Sequence, residues 1–209
     1  MLDVVIATTN TGKFKEIGKL LKDPNINLIP LSDFHDVVIP DETGKTYLEN
    51  AKIKAETVLN HTGKITIADD SGLEVEALNN GPGIHSARYG SKYLPFSEKI
   101  NKMLFEMAEI PIEKRKAKFV CCAVVMFPKE FTEYKIPNTE YHFQGECLGN
   151  IGFEPRGYMG FGFDPIFYPD GYELTMAEID ETEKNNISHR GIAFKKLKYF
   201  LTNEFSFAT

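Results

Sequence analysis

The run Phe119–Phe127 (FVCCAVVMF) is apolar on both faces that an extended chain presents, so it has to be covered from two sides. It falls well short of the roughly 20 residues that cross a bilayer. It is therefore expected to be a central strand of a sheet with helices packed above and below. Tyr141–Leu148 alternates in hydrophobicity and is expected to pair with it after a loop around Pro137-Asn138. Further strands are expected at Val4–Ala7, Leu28–Leu31 and Ile65–Ile67. Helical spacing links Phe14, Ile17, Leu20 and Leu21; then Leu48, Ala51, Ala55, Val58 and Leu59; then Ile100, Met103, Leu104 and Met107; then Phe194, Leu197, Phe200 and Leu201. Strands and helices that alternate in this way define an α/β (mixed α+β) sheet protein. With 209 residues, 42% of them hydrophobic, the chain can bury a substantial core as a single domain, 1–209, of one body or two lobes.

Several classes of function are disfavoured at once. A net charge of −6 argues against long nucleic-acid partners, whose binding rests on many phosphate contacts, but leaves room for a small phosphorylated ligand. Asp3 stands where a secretion signal needs basic residues, and no apolar run spans a membrane, so a cytoplasmic protein is expected. Cys121, Cys122 and Cys147 have neither disulfide nor metal-ligand spacing and read as reduced packing residues.

The candidate chemistry lies at the strand ends. After the first strand, Thr8-Thr9-Asn10-Thr11-Gly12-Lys13 opens a helix, where free amides suit phosphate oxygens. It lacks Walker A spacing, and a plain solvated turn fits it equally well. A cationic Lys13 in a first helical turn opposes the helix dipole, which a bound anion would relieve. Ala68-Asp69-Asp70-Ser71-Gly72 is expected where the strand from Ile65 stops and turns. Adjacent strand residues face opposite ways, so one carboxylate is expected to meet a ligand; the alternative is an Asx-turn before Gly72. The Asp41-Glu42 pair is either a solvated loop or a source of a metal carboxylate. Thr46-Tyr47-Leu48-Glu49 has capping-box form, which gives Glu49 either a cap or a place beside Asp70. Leu73–Ala77 reads as a half-exposed strand, and Ser97 as the cap of the helix bearing Ile100.

Toward the C-terminus, Arg156–Pro165 interleaves glycines with aromatics, including Phe161, Gly162, Phe163 and Asp164. Such a segment either brings backbone close to a ligand and offers a ring to a base, or simply fills the core. Thr175–Glu178 forms a second capping box. Beyond it, Glu183–Asn186 leads to Ser188-His189-Arg190 at a helix start, where Arg190 and Lys184 suit an anion or a carbonyl.

Taken in order, Thr8-x-Asn10-x-x-Lys13, Glu42-Thr43-Gly44-x-Thr46-x-x-Glu49-Asn50-Ala51, Ala68–Leu73, Gly81-Pro82-Gly83-x-x-Ser86–Tyr89, Gly160–Pro165 and Ser188–Arg190 resemble the motifs of the inosine triphosphate pyrophosphatase (Ham1-like) family, in its bacterial branch. The resemblance runs from Thr8 to Arg190. It implies an elongated two-lobed fold around a long twisted mixed sheet with a central cleft, and a homodimer. It also implies hydrolysis of ITP, dITP and XTP to the monophosphate and pyrophosphate with Mg²⁺. Carried onto matching positions, Thr8–Lys13 hold the phosphates, chiefly through Asn10 and Lys13, and Ser71 contacts substrate. Asp70 is the base or a metal ligand, Glu49 and Asp69 support catalysis, and Asp41 is taken over Glu42 as the second metal carboxylate. Phe161–Asp164, Lys184, His189 and Arg190 form the base pocket. Thr9 stands where many relatives have glycine, and Phe163 where an aromatic with a polar tip is frequent. Two rival functions use the same residues: a nucleotide sensor without turnover, and a Maf-like pyrophosphatase acting on modified pyrimidine triphosphates.

Overall fold

The computed structural model describes residues 1–129 and 139–204, and the loop expected around Pro137-Asn138 lies outside them. The elements in chain order are β1 (Leu2–Ile6), α1 (Thr11–Leu20), β2 (Ile26–Pro30), α2 (Tyr47–Thr62), β3 (Ile65–Val75), β4 (Gly81–Pro82), α3 (Phe96–Glu106), β5 (Lys116–Met126), β6 (Glu140–Ile151), β7 (Phe167–Pro169), α4 (Glu181–Ile187) and α5 (His189–Tyr199). They build a mixed α/β fold on a seven-stranded sheet of order β2-β1-β3-β5-β6-β7, with β4 paired to β3. β1 lies parallel to both β2 and β3, while β4 and β7 are antiparallel to their neighbours. As the doubly apolar run requires, β5 is an interior strand, and β6 lies beside it.

The chain divides into two compact units. The first comprises residues 1–70, 121–145 and 192–209, and the second 71–120 and 146–191. In the first, β1 and the start of β3 are covered on one face by Ile17 and Leu21 together with Phe194 and Leu197 of α5. The other face carries Val5, Ala7 and Ala68 under Ala51, Ala55 and Val58 of α2. The second unit packs Leu73, Val75, Met103, Ile151, Phe163 and Phe167 into a core of its own. Arg115 is buried there and donates to three carbonyls: Ile110 at 2.9 Å, Gly152 at 2.7 Å and Met107 at 2.5 Å. Its charge thereby meets the carbonyl end of α3, where a cation is favourable.

Three local expectations change. β3 does not stop at Asp69 but continues to Val75, so the expected turn and the strand at Leu73–Ala77 are one element. Within it Leu73 and Val75 are buried and Glu74 between them is partly exposed, the alternation expected of a half-exposed strand. α3 is capped at Pro95 instead of Ser97, so the helix starts two residues earlier and without a side-chain cap. Only half of the Thr175–Glu178 box forms: Glu178 accepts the Thr175 amide at 2.8 Å, but the Thr175 hydroxyl donates to the Arg156 carbonyl at 2.9 Å, and the motif closes a turn. α4 begins at Asp180, whose carboxylate caps Thr182 and Glu183. Gly63 ends α2 in the left-handed region.

All three cysteines are buried thiols outside any disulfide. Burial, reinforced by the Asp70 and Asp69 carboxylates, pushes the Cys122 thiol up to about 11, and burial pushes that of Cys147 up to about 12. Because the thiolate is the reactive species, iodoacetamide at pH 8 should leave both unmodified in the native protein and alkylate them in denaturant. Intact-mass measurement checks this, and native labelling of either would contradict it.

Candidate active site

A strand alternates its side chains between two faces, and β3 separates its two aspartates accordingly. Asp69 falls with Ile65 and Ile67 on the α1 face, whereas Asp70 falls with Ala68 on the α2 face. On the first face, Lys13 Nζ reaches Asp69 Oδ2 at 2.8 Å, and the aspartate side chain is 0% exposed. Lys13 sits in the first turn of α1 because the preceding turn is a cap: Asn10 Oδ1 accepts the Lys13 amide at 3.0 Å and Thr8 Oγ1 accepts that of Asn10 at 3.2 Å. Asp69 therefore supplies from within the chain the negative charge that a cation at a helix N-terminus calls for. Thr9, Asn10 and Thr11 are exposed around this turn, and Gly12 is half-buried.

On the second face, Asp70 Oδ2 accepts from Asn50 Nδ2 at 3.0 Å, while Oδ1 lies 3.5 Å from Lys54 Nζ. The same ammonium donates to Glu42 Oε1 at 2.7 Å. Burial holds the Asp70 carboxyl above its usual range. Lys54 lowers it and Glu42 raises it, but desolvation prevails. Burial alone would lower Lys54 as well, yet the carboxylates of Asp70, Asp69 and Glu42 together hold its amine above the ordinary value. The result is a firmly held cation between two oxygen donors, one of which ionises reluctantly.

Three candidates for this cluster are placed differently. Asp41 is exposed, and Glu42 is the acid of that pair that meets Lys54. Glu49 is exposed and caps α2: its Oε2 accepts the Lys45 amide at 2.6 Å, while Thr46 Oγ1 accepts the Glu49 amide at 3.1 Å. Asp69 lies on the opposite face from Asp70, paired with Lys13. For Glu49 the helix period decides, because α2 buries Asn50, Ala51, Lys54, Ala55 and Val58 and turns Glu49 outward. Among the described residues no group of three or more His, Cys, Asp or Glu is arranged to hold a metal. Glu42 and Asp70 nevertheless offer hard oxygens. Mg²⁺ is commonly held by one or two carboxylates, with waters and substrate phosphates completing its shell, so this donor set fits it.

The second unit gathers another constellation. Arg190 is buried and donates from Nη2 to Ser71 Oγ at 2.8 Å. Phe161 is half-buried, with Lys184 Nζ 5.4 Å and the Arg190 guanidinium 5.5 Å from its ring centroid. Asp164 Oδ2 accepts both from Lys184 Nζ at 2.7 Å and from the Phe161 amide at 2.9 Å. That loop needs Gly160, at φ +73°, because a Cβ there would stand 2.1 Å from Asp164 Oδ2. Gly162, also left-handed at φ +71°, separates Phe161 from Phe163. Phe163 belongs to the core, edge-on to Phe96 and Tyr89. The His189 imidazole lies flat on Phe119, 4.7 Å between centroids and 13° between planes.

Lys54 and Phe119 were not among the candidates. A lysine at the buried stripe position shared with Ala51, Ala55 and Val58 was the available signal for Lys54. Nothing local marks Phe119 as the plate under His189.

The Ham1 family model matches residues 4–200. The chain belongs to the Ham1 family. Relatives of this Ham1-family chain include a dITP/XTP pyrophosphatase of Bacillus cereus, 43% identical over 198 residues that cover 95% of this chain and 94% of that protein. One of Dictyoglomus thermophilum is 45% identical over 199 residues, covering 95% and 93%. Among solved structures, a Ham1 protein from Coxiella burnetii is 41% identical with a TM-score of 0.85, covering 97% of this chain and 99% of that one. The Staphylococcus aureus Ham1 protein is 36% identical with a TM-score of 0.83 over the same shares.

A carboxyl whose folded pKa is raised stabilises the fold below its unfolded pKa and loses that contribution as pH rises through the folded value. In chelator, Asp70→Asn should therefore melt no lower than the parent at pH 7, with the difference narrowing as pH falls toward the ordinary aspartate range. Thermal melts from pH 5 to 8 check this, and a less stable variant at pH 7 would contradict it.

Proposed function

We propose that this Ham1-family chain hydrolyses deaminated purine nucleoside triphosphates, dITP, XTP and ITP, to the nucleoside monophosphate and pyrophosphate, and so clears them from the nucleotide pool. The observation that carries the reading is its likeness, over nearly the whole of both chains, to proteins named dITP/XTP pyrophosphatase. The site geometry supports the following division of the steps.

The turn Thr8–Lys13 offers amides, hydroxyls and a cation to the triphosphate, with Asp69 orienting Lys13. Lys54 adds a second cation beside Asp70 and Glu42. A bound Mg²⁺, held by Glu42 and Asp70 rather than Asp41, would neutralise charge that develops on the leaving pyrophosphate. Asp70, its pKa raised by burial, is suited to accept a proton from the water that attacks the α-phosphorus. Glu49 then keeps its capping role and leaves the chemistry to its neighbours on the buried face of α2.

The purine falls to the second constellation. Phe161 offers a ring face, and Arg190, Lys184 and His189 offer donors toward a 6-keto oxygen, with Ser71 and Asp164 holding two of those cations in place. Adenine sets an amino group against the same donors, a mismatch that discriminates strongly in a buried site. Phe163 contributes packing behind the loop rather than a contact to the base. We further propose a cytoplasmic homodimer. No helix among the described residues is long and apolar enough to cross a membrane, and Phe105, Tyr93 and Phe153 leave apolar surface on the second unit for a partner copy.

Pyrophosphate release with Mg²⁺ across ITP, XTP, dITP, GTP, ATP and modified pyrimidine triphosphates tests the function. Selective turnover of the deaminated purines is expected; preference for pyrimidines would favour the Maf-like reading, and binding without release the sensor. Asp70→Asn should lower turnover about 1,000-fold or more while nucleotide binding persists, and retained turnover would remove Asp70 from the mechanism. Arg190→Ala should narrow the preference for ITP over ATP by about tenfold or more, as expected for a lost buried donor, and an unchanged ratio would exclude its recognition role.

A further inference from the structure

Asn50 is completely buried, carries no charge, and has both ends of its amide engaged. Its Nδ2 donates to Asp70 Oδ2 at 3.0 Å, and its Oδ1 accepts the Gly44 amide at 2.8 Å. The amide is not free to turn over, because the reversed orientation would set oxygen against the Asp70 carboxylate and a donor against the Gly44 N–H. One helical turn further along α2, Lys54 touches the same two segments through different atoms, Asp70 Oδ1 at 3.5 Å and Glu42 Oε1 at 2.7 Å. Gly44 allows the approach: a Cβ there would stand 2.7 Å from both Asn50 Oδ1 and Glu49 Cβ.

We propose that Asn50 is a positioning residue for the reaction. It occupies Asp70 Oδ2 and presents Oδ1 alone to Lys54 and Glu42. By the same amide it anchors the segment carrying Glu42 at Gly44, so that the spacing of the two carboxylates is set by one rigid side chain on α2. The inference rests on the role given to Asp70 in the proposed function. Partners that orient metal-binding or catalytic carboxylates affect activity or metal affinity by about 10- to 100-fold on removal. Small misplacements of reacting groups have effects of the same order.

The test uses Asn50→Ala, which removes both contacts, and Asn50→Asp, which keeps an acceptor for the Gly44 amide but sets carboxylate against carboxylate. For each, kcat and KM for dITP are measured together with the melting temperature. Mn²⁺ binding is measured by calorimetry in the presence of a hydrolysis-resistant dITP analogue. Expected are a kcat lowered about 30- to 100-fold, a KM changed less than about threefold, and Mn²⁺ affinity weakened about tenfold or more, all at temperatures where the variant is folded. A kcat within about threefold of the parent overturns the proposal. So does a loss confined to KM, or one that vanishes once activity is expressed per folded molecule, since a purely structural role predicts that pattern. Should Asn50→Asp fail to fold, Asn50→Ser, short and polar, replaces it under the same criteria. Asp70→Asn runs in the same assay. If it retains turnover, the role of Asp70 fails and this inference with it; if it is inactive while the Asn50 variants are not, only this inference fails.

Discussion

Two neighbouring carboxylates buried in the middle of a strand impose most of what surrounds them. An ionised carboxylate taken out of water costs several kcal/mol unless it is paired, and adjacent positions on β3 cannot share one partner because they face opposite ways. The chain therefore supplies two cations from two helices, Lys13 from α1 for Asp69 and Lys54 from α2 for Asp70. Each lysine in turn fixes something else. Lys13 requires the Asn10 cap to hold it in the first turn, and Lys54 draws Glu42 out of an otherwise polar loop. The helices on the two faces of the sheet are thus tied by charge to the same strand.

The second constellation works by a different economy. Arg190 and Lys184 are buried, and their contacts include one hydroxyl, one carboxylate and an aromatic face. Asp164 fixes the backbone of Phe161 and the head of Lys184 with a single oxygen, so the ring and the cation are held at one spacing. In the proposed function, recognition of a neutral base needs donors of fixed direction more than net charge, and this arrangement suits that need.

Much of this was legible in the sequence. The doubly apolar run gave β5 its interior place, and helical periodicity located α1, α2, α3 and α5. The motif blocks pointed to Asp70, Lys13, Phe161 and Arg190, and the segment Glu183–Asn186 to Lys184. What escaped depended on contacts distant along the chain. β3 runs on through Asp69-Asp70-Ser71-Gly72, although those residues are typical of turns, because β5 lies along it while β1 pairs with its start, Ile65–Ile67, and β4 with its end, Glu74 and Val75. Glu42 and Asp41 are indistinguishable until Lys54 is placed. Glu49 matched a motif and a capping box at once, and the helix period sent its side chain to the cap. Phe163 reads as ligand-facing beside Phe161 until the left-handed glycine between them is known to turn the one inward.

Side chains along a strand repeat every second residue, so sliding β3 by a single position would exchange the two aspartates between the lysines and send Ala68 and Ser71 to the wrong sides. Such slippage is a common hazard of long strands. Gly72 guards against it: its α-carbon lies so close to the Gly83 carbonyl that an added methyl would stand 2.1 Å from the oxygen, and either neighbour, Ser71 or Leu73, would bring a larger group to that spot. A residue without a side chain, placed just past the two aspartates, thereby acts as the detent that keeps the strand from being threaded out of step.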